Sequence, residues 1–130
     1  MYRDLVGEGG VVPWEQGNIK IYGQTFQERR LTCYWGDAWT DFQYSGRTVR
    51  PVSFQGDRCP ERVRRLREAL VAHTGIPFDS CLANWYKDSE DRIGWHSDDE
   101  KLYGDTPAIA AISLGMTRDF QIRVKPRLVD

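Results

Sequence analysis

His96 and Asp98, in the run Arg92-Ile93-Gly94-Trp95-His96-Ser97-Asp98-Asp99-Glu100, have the types and spacing that most directly suggest chemistry. On an extended backbone, side chains two positions apart project from the same face. An imidazole nitrogen and a carboxylate oxygen placed in this way can grip one metal ion side by side. They would be two of the three protein ligands of a two-histidine, one-carboxylate facial site, which keeps coordination positions open. Taken without its neighbours, the same spacing also describes a hydrogen-bonded pair or a solvated turn. Asn84 and Tyr86 are likewise two apart, in Ser80-Cys81-Leu82-Ala83-Asn84-Trp85-Tyr86. On a strand they share a face, where an amide and a phenol can both hydrogen-bond a carboxylate or keto oxygen. A tyrosine hydroxyl that anchors a strand end is the alternative.

The elements that must position these residues read mainly as strands. Residues 19–22 alternate as a short strand closed by Gly23, residues 31–35 are rich in β-formers and stop at Gly36-Asp37, and residues 42–44 stop at Ser45-Gly46. One helix is predicted over 60–73, with Pro60 at its first position, Val63, Leu66 and Leu70 on one face, and Gly75 just beyond its end. His73 falls in its last turn, where a protonated imidazole complements the helix dipole. Residues 80–86 read as extended, and the polar turn 87–91 leads into the His96 run. The apolar run 107–114 has the composition of a buried strand, and 119–124 alternates as a half-buried one.

At 130 residues the chain is predicted to be one domain with a single core. It has no repeat, no apolar run of membrane-spanning length and no secretory-type start. Cys33, Cys59 and Cys81 are odd in number and unpaired in spacing, which fits reduced thiols in the cytoplasm, or in the nucleus of a eukaryote, and excludes a Cys-x-x-Cys zinc site. The net charge of −1 conceals two halves. Residues 46–67 hold seven arginines against Asp57 and Glu61, whereas residues 79–105 hold eight acids against Lys87, Arg92 and Lys101. The first half could face phosphates and the second suits a cation; mutually compensating solvated faces are the plainer reading.

The ordered series Asn84-x-Tyr86, Trp95-His96-Ser97-Asp98-Asp99-Glu100, Pro107-Ala108-Ile109 and Ser113-Leu114-Gly115-Met116-Thr117-Arg118-Asp119-Phe120 resembles the AlkB-type iron(II) and 2-oxoglutarate-dependent dioxygenases. Trp14, Ile21-Tyr22-Gly23, Arg30-Leu31-Thr32, Tyr34-Trp35-Gly36-Asp37 and Phe42-Gln43-Tyr44-Ser45-Gly46 follow the same family's order, so the resemblance covers about Trp14 to Lys125. It implies a mainly β (α+β) fold, a double-stranded β-helix of the jelly-roll or cupin-like kind. It implies that His96 and Asp98 hold Fe(II) and that Asn84 and Tyr86 bind the co-substrate 2-oxoglutarate. Phe42 and Tyr44 would form the substrate surface, with Tyr44 stacked on the target base opposite the His96 ring. Asp99 and Glu100 would sit at the pocket mouth, where carboxylates can accept from an exocyclic amine. The implied partner is alkylated DNA or RNA, with the damaged base flipped into the pocket and demethylated oxidatively.

The sequence departs from the family pattern in several places. The second histidine ligand and the arginines that hold the co-substrate carboxylate come from later motifs, and the only other histidine is His73. Ser89 stands where the family often has glycine and Arg29 where it often has proline. The expectation is therefore a β-helix incomplete on its C-terminal side. Its open sheet edge would self-associate or take up a complementary fragment. The competing function is a nucleic-acid-binding module without turnover, and a zinc hydrolase comes third because no third ligand or general base is apparent.

Overall fold

The computed structural model describes residues 2–6, 10–37, 42–44, 47–98 and 104–124. Its elements in chain order are helix α1 (Tyr2–Val6), strands β1 (Asn18–Ile21), β2 (Gln24–Gln27), β3 (Leu31–Gly36), β4 (Phe42–Tyr44), β5 (Arg47–Val49) and β6 (Val52–Ser53), helix α2 (Glu61–Thr74) and strand β7 (Ser80–Trp85). The described structure is thus mainly strands with one long helix, and the strands do not close into a barrel among the described residues.

β3 organises the main sheet. Its sequence, Leu-Thr-Cys-Tyr-Trp-Gly, is dense in β-branched and aromatic residues, and Cys33, Tyr34, Trp35 and Gly36 are all buried, as a central strand requires. β7 pairs with it antiparallel in full register, from Leu31 opposite Trp85 to Gly36 opposite Ser80. β6 adds a short parallel edge at Trp35 and Gly36. Two hairpins stand beside this sheet. β1 and β2 are joined by Tyr22 and Gly23, both at positive φ (49° and 78°), the mirror-image turn that matches strand twist. β4 and β5 pair from Phe42–Val49 to Tyr44–Arg47.

α2 forms where the spacing of Val63, Leu66 and Leu70 predicts it, displaced by one residue. Pro60 is the N-cap rather than the first helical residue, and Gly75 closes the end at φ 71°, its N–H donating to the Val71 carbonyl at 2.8 Å. Glu61 in the first turn accepts from Arg64 and Arg65, which with the helix N-terminus favours its ionised form. Val63 carries the helix into a core of Val12, Cys33, Trp35, Phe54 and Cys59, lined by Leu5, Trp14, Val52, Cys81 and Ala83.

Two expected strands are not formed. Residues 107–114 and 119–124 take no ladder partner among the described residues, and their side chains face solvent: Ile109 is 61%, Phe120 82% and Val124 92% exposed. An apolar or alternating pattern becomes a strand only where another strand satisfies its backbone, and none of the described strands does so here.

Candidate metal centre

The site residues hang on β7 and the chain that follows it. Cys81 and Ala83 turn toward the core and Trp85 packs on Trp14, with ring centroids 5.7 Å apart. Strand alternation therefore puts Leu82 and Asn84 on the opposite, exposed face. Asn84 does not stand alone there. Its Oδ1 accepts from Arg30 Nη1 at 2.9 Å, and Arg30 is paired through Nη2 with Glu28 Oε1 at 3.0 Å. Arg30 and Glu28 are buried, at 3% and 7% exposure. A guanidinium can only donate, so this contact assigns the amide: the carbonyl faces Arg30, and the NH2 is what Asn84 can offer another acceptor. The sequence marks Arg30 only as the start of the Arg30-Leu31-Thr32 run and gives neither it nor Glu28 a role. Their one signal was the two-residue spacing of opposite charges on either side of Arg29.

The acidic turn after Tyr86 is built rather than merely solvated. The buried Asp91 carboxylate accepts from the Lys87 amide at 2.9 Å, and Asp88 Oδ1 accepts from the amides of Glu90 and Asp91 at 2.8 and 3.1 Å. The Arg92 amide then donates to the Arg29 carbonyl at 2.9 Å, tying the exit of the turn to the loop before β3. Arg118 donates to the carbonyls of Asp88 and Asp91, and its guanidinium carbon lies 5.0 Å from the centre of the Tyr86 ring.

His96 and Asp98 do not lie on a strand; residues 92–98 are irregular, which corrects the extended-backbone expectation. Their side chains nevertheless lie side by side, with His96 Nε2 3.3 Å from Asp98 Oδ1. His96 Nδ1 is 2.9 Å from the Gly94 carbonyl oxygen. With its proton on Nδ1, donated to that carbonyl, the ring keeps the Nε2 lone pair on the Asp98 side, the tautomer a metal ligand needs. A backbone carbonyl at the other ring nitrogen is a usual outer support of a metal-ligating histidine. Two donors 3.3 Å apart can share an ion whose bonds to N and O are about 2.0–2.2 Å long. Both are open to solvent, at 40% and 55% side-chain exposure. The pair therefore fits a divalent metal as two ligands. No group of three or more His, Cys, Asp and Glu among the described residues is placed to complete it, and His73 is exposed in the last turn of α2.

No hydrogen bond, ion pair or ring contact among the described residues joins Asn84 and Tyr86 to His96 and Asp98. The backbone of Phe42 and Tyr44 lies in β4, while their side chains, and Asp99 and Glu100 entirely, lie outside the described residues. Trp95, beside the histidine, is capped by the Arg123 guanidinium at 4.1 Å from its ring centre.

The model of the 2OG-Fe(II) oxygenase superfamily matches residues 3–128. The chain is 38% identical over 115 residues to the DNA oxidative demethylase ALKBH2 of Arabidopsis thaliana, covering 88% of this chain and 36% of that protein. It is 36% identical over 115 residues to the human alpha-ketoglutarate-dependent dioxygenase alkB homolog 3, covering 88% and 38%. It is 34% identical over 125 residues to the human DNA oxidative demethylase ALKBH2, covering 96% and 46%. The chain spans about a third to a half of the length of these relatives.

Proposed function

This chain belongs to the 2OG-Fe(II) oxygenase superfamily, in its AlkB-type branch, and from that premise we propose that it carries out oxidative demethylation of alkylated nucleic-acid bases. The observation that carries the reading is the supported pair: His96 Nε2 turned to Asp98 Oδ1, with Nδ1 tied to Gly94. His96 and Asp98 hold Fe(II). Asn84, its NH2 made available by Arg30, and Tyr86 hydrogen-bond 2-oxoglutarate. Tyr44 and Phe42 receive the base, and Asp99 and Glu100 accept from its exocyclic amine at the mouth. Bound iron supplies the oxidation of the N-methyl group, with dioxygen and 2-oxoglutarate as co-reactants. The work of the chain is to hold the co-substrate by its oxygens and to stack the flipped base.

The same reading makes the described strands part of one jelly-roll domain. The exposed apolar segment 107–124 is where a second copy or a complementary fragment would pair. Three unpaired thiols suit a reducing cytoplasmic or nuclear compartment. No helix among the described residues is long and apolar enough to cross a membrane.

The test is turnover of a methylated oligonucleotide with Fe(II), 2-oxoglutarate and dioxygen, read as succinate and formaldehyde. Both products are expected from the unaltered chain and neither from Asp98→Asn. Binding of the oligonucleotide without either product would assign the chain instead as a binding module.

A further inference from the structure

Arg118 comes from segment 104–124, which contributes no strand or helix, yet it makes three defined contacts. Nη1 donates to the Asp88 carbonyl at 2.7 Å, Nη2 donates to the Asp91 carbonyl, and the guanidinium lies over the Tyr86 ring, 5.0 Å from its centre. The turn it grips holds three acids, Asp88, Glu90 and Asp91, so a cation is favoured there on charge alone. Charge does not account for the contacts. Both hydrogen bonds go to backbone carbonyls, while the Asp91 carboxylate is turned inward to the Lys87 amide. Arg118 therefore responds to the conformation of the turn. A planar fork can engage two carbonyls and lie over a ring at once, which a lysine ammonium cannot do.

We propose that Arg118 is a positioning residue, a clamp that locks the 87–91 turn against the Tyr86 ring and so sets the direction of the Tyr86 phenol before the co-substrate arrives. The consequence for 2-oxoglutarate rests on the reading of Tyr86 given above. The ring cannot swing without giving up the stacked cation, and the turn cannot open without breaking both carbonyl bonds. Binding then spends less on ordering the phenol.

Two measurements on the full chain test the clamp. The first is backbone hydrogen exchange without ligand at Lys87, Glu90 and Asp91, whose amides are bonded inside the turn, with α2 amides as the internal reference. Arg118→Gln is expected to speed exchange in the turn by about tenfold and leave α2 unchanged. The second is calorimetric titration of 2-oxoglutarate with Mn(II) in place of iron. Arg118→Gln should raise Kd about tenfold, Arg118→Lys should not restore it, and in a Tyr86→Phe background the same change should matter less than about twofold. Unchanged exchange in the turn, exchange that rises equally in α2, or equal weakening in both backgrounds would each overturn the clamp. Failure of the unaltered chain to take up 2-oxoglutarate counts against the proposed function, and the exchange arm then decides the clamp on the turn.

Discussion

His96 is fixed through one nitrogen and presented through the other, and that asymmetry can be measured. Replacing Asp98 by Asn keeps the shape and removes the charge. We expect it to weaken Mn(II) binding more than about a hundredfold, since losing a ligand costs more than losing an outer-shell partner. An electron paramagnetic resonance titration of free Mn(II) reads this directly, and unchanged affinity would remove Asp98 from the site. The three thiols behave in the opposite manner. Burial pushes the Cys33 thiol up to about 12 and the Cys81 thiol to about 11 from an ordinary 9.0, and burial raises Cys59 as well. These groups hold their protons more tightly folded than unfolded. The associated stability is complete below about pH 9 and is lost as the pH rises toward 12, because the unfolded chain ionises first. Urea unfolding followed from pH 8 upward should show a declining midpoint, and the native thiols should resist alkylation near neutrality. Rapid labelling of Cys33 at pH 7 would contradict the packing described.

At the scale of elements, Gly75 and the Glu28–Arg30 pair are the sharpest points of stress. Gly75→Ala places a Cβ at φ 71°, and a loss of about 1 kcal/mol in thermal or denaturant unfolding is expected. Glu28→Ala strips the carboxylate from a buried guanidinium, and a loss of about 3 kcal/mol is expected, together with a loosened Asn84 amide. If Glu28→Ala unfolds at the same denaturant concentration as the unaltered chain, the pair is not buried as described. The sequence made α2 legible because Pro60, the Val63–Leu66–Leu70 stripe and Gly75 agree with one another. It made β1, β3, β4 and β7 legible because β-branched and aromatic runs met turn residues. It did not reveal β2, whose Gln-Thr-Phe-Gln is exposed throughout and pairs only because Tyr22 accepts a left-handed backbone ahead of Gly23. Nor did it show that 107–114 and 119–124 take no ladder partner among the described residues, since periodicity reports what a segment could bury and not whether anything covers it. At the site, the types of His96 and Asp98 were readable, but their support was not. Charged residues such as Arg30 and Glu28 pass by default for solvated ones, and Arg118 is distant in sequence from the ring it covers.

For the molecule as a whole, the exposed Ile109, Ile112, Leu114, Phe120, Ile122 and Val124 are an unspent source of stabilisation, at about 25 cal/mol per Å² of apolar surface removed from water. We expect the isolated 130-residue chain to show a concentration-dependent mass above its own 15.1 kDa in light scattering. A monomer at every concentration that also produced succinate with iron would show that neither a second copy nor a further fragment is needed. The pairing of β3 with β7 has another consequence, in time. The two hairpins close over turns of a few residues, whereas the centre of the sheet joins residues 31–36 to residues 80–85. A ribosome adding about 5–20 residues per second leaves β3 waiting some seconds for β7. The hairpins and the short β3–β6 edge can form during synthesis, but the β3–β7 pairing that carries Asn84 cannot form until the helix has already emerged, so the candidate site is among the later parts of this chain to exist.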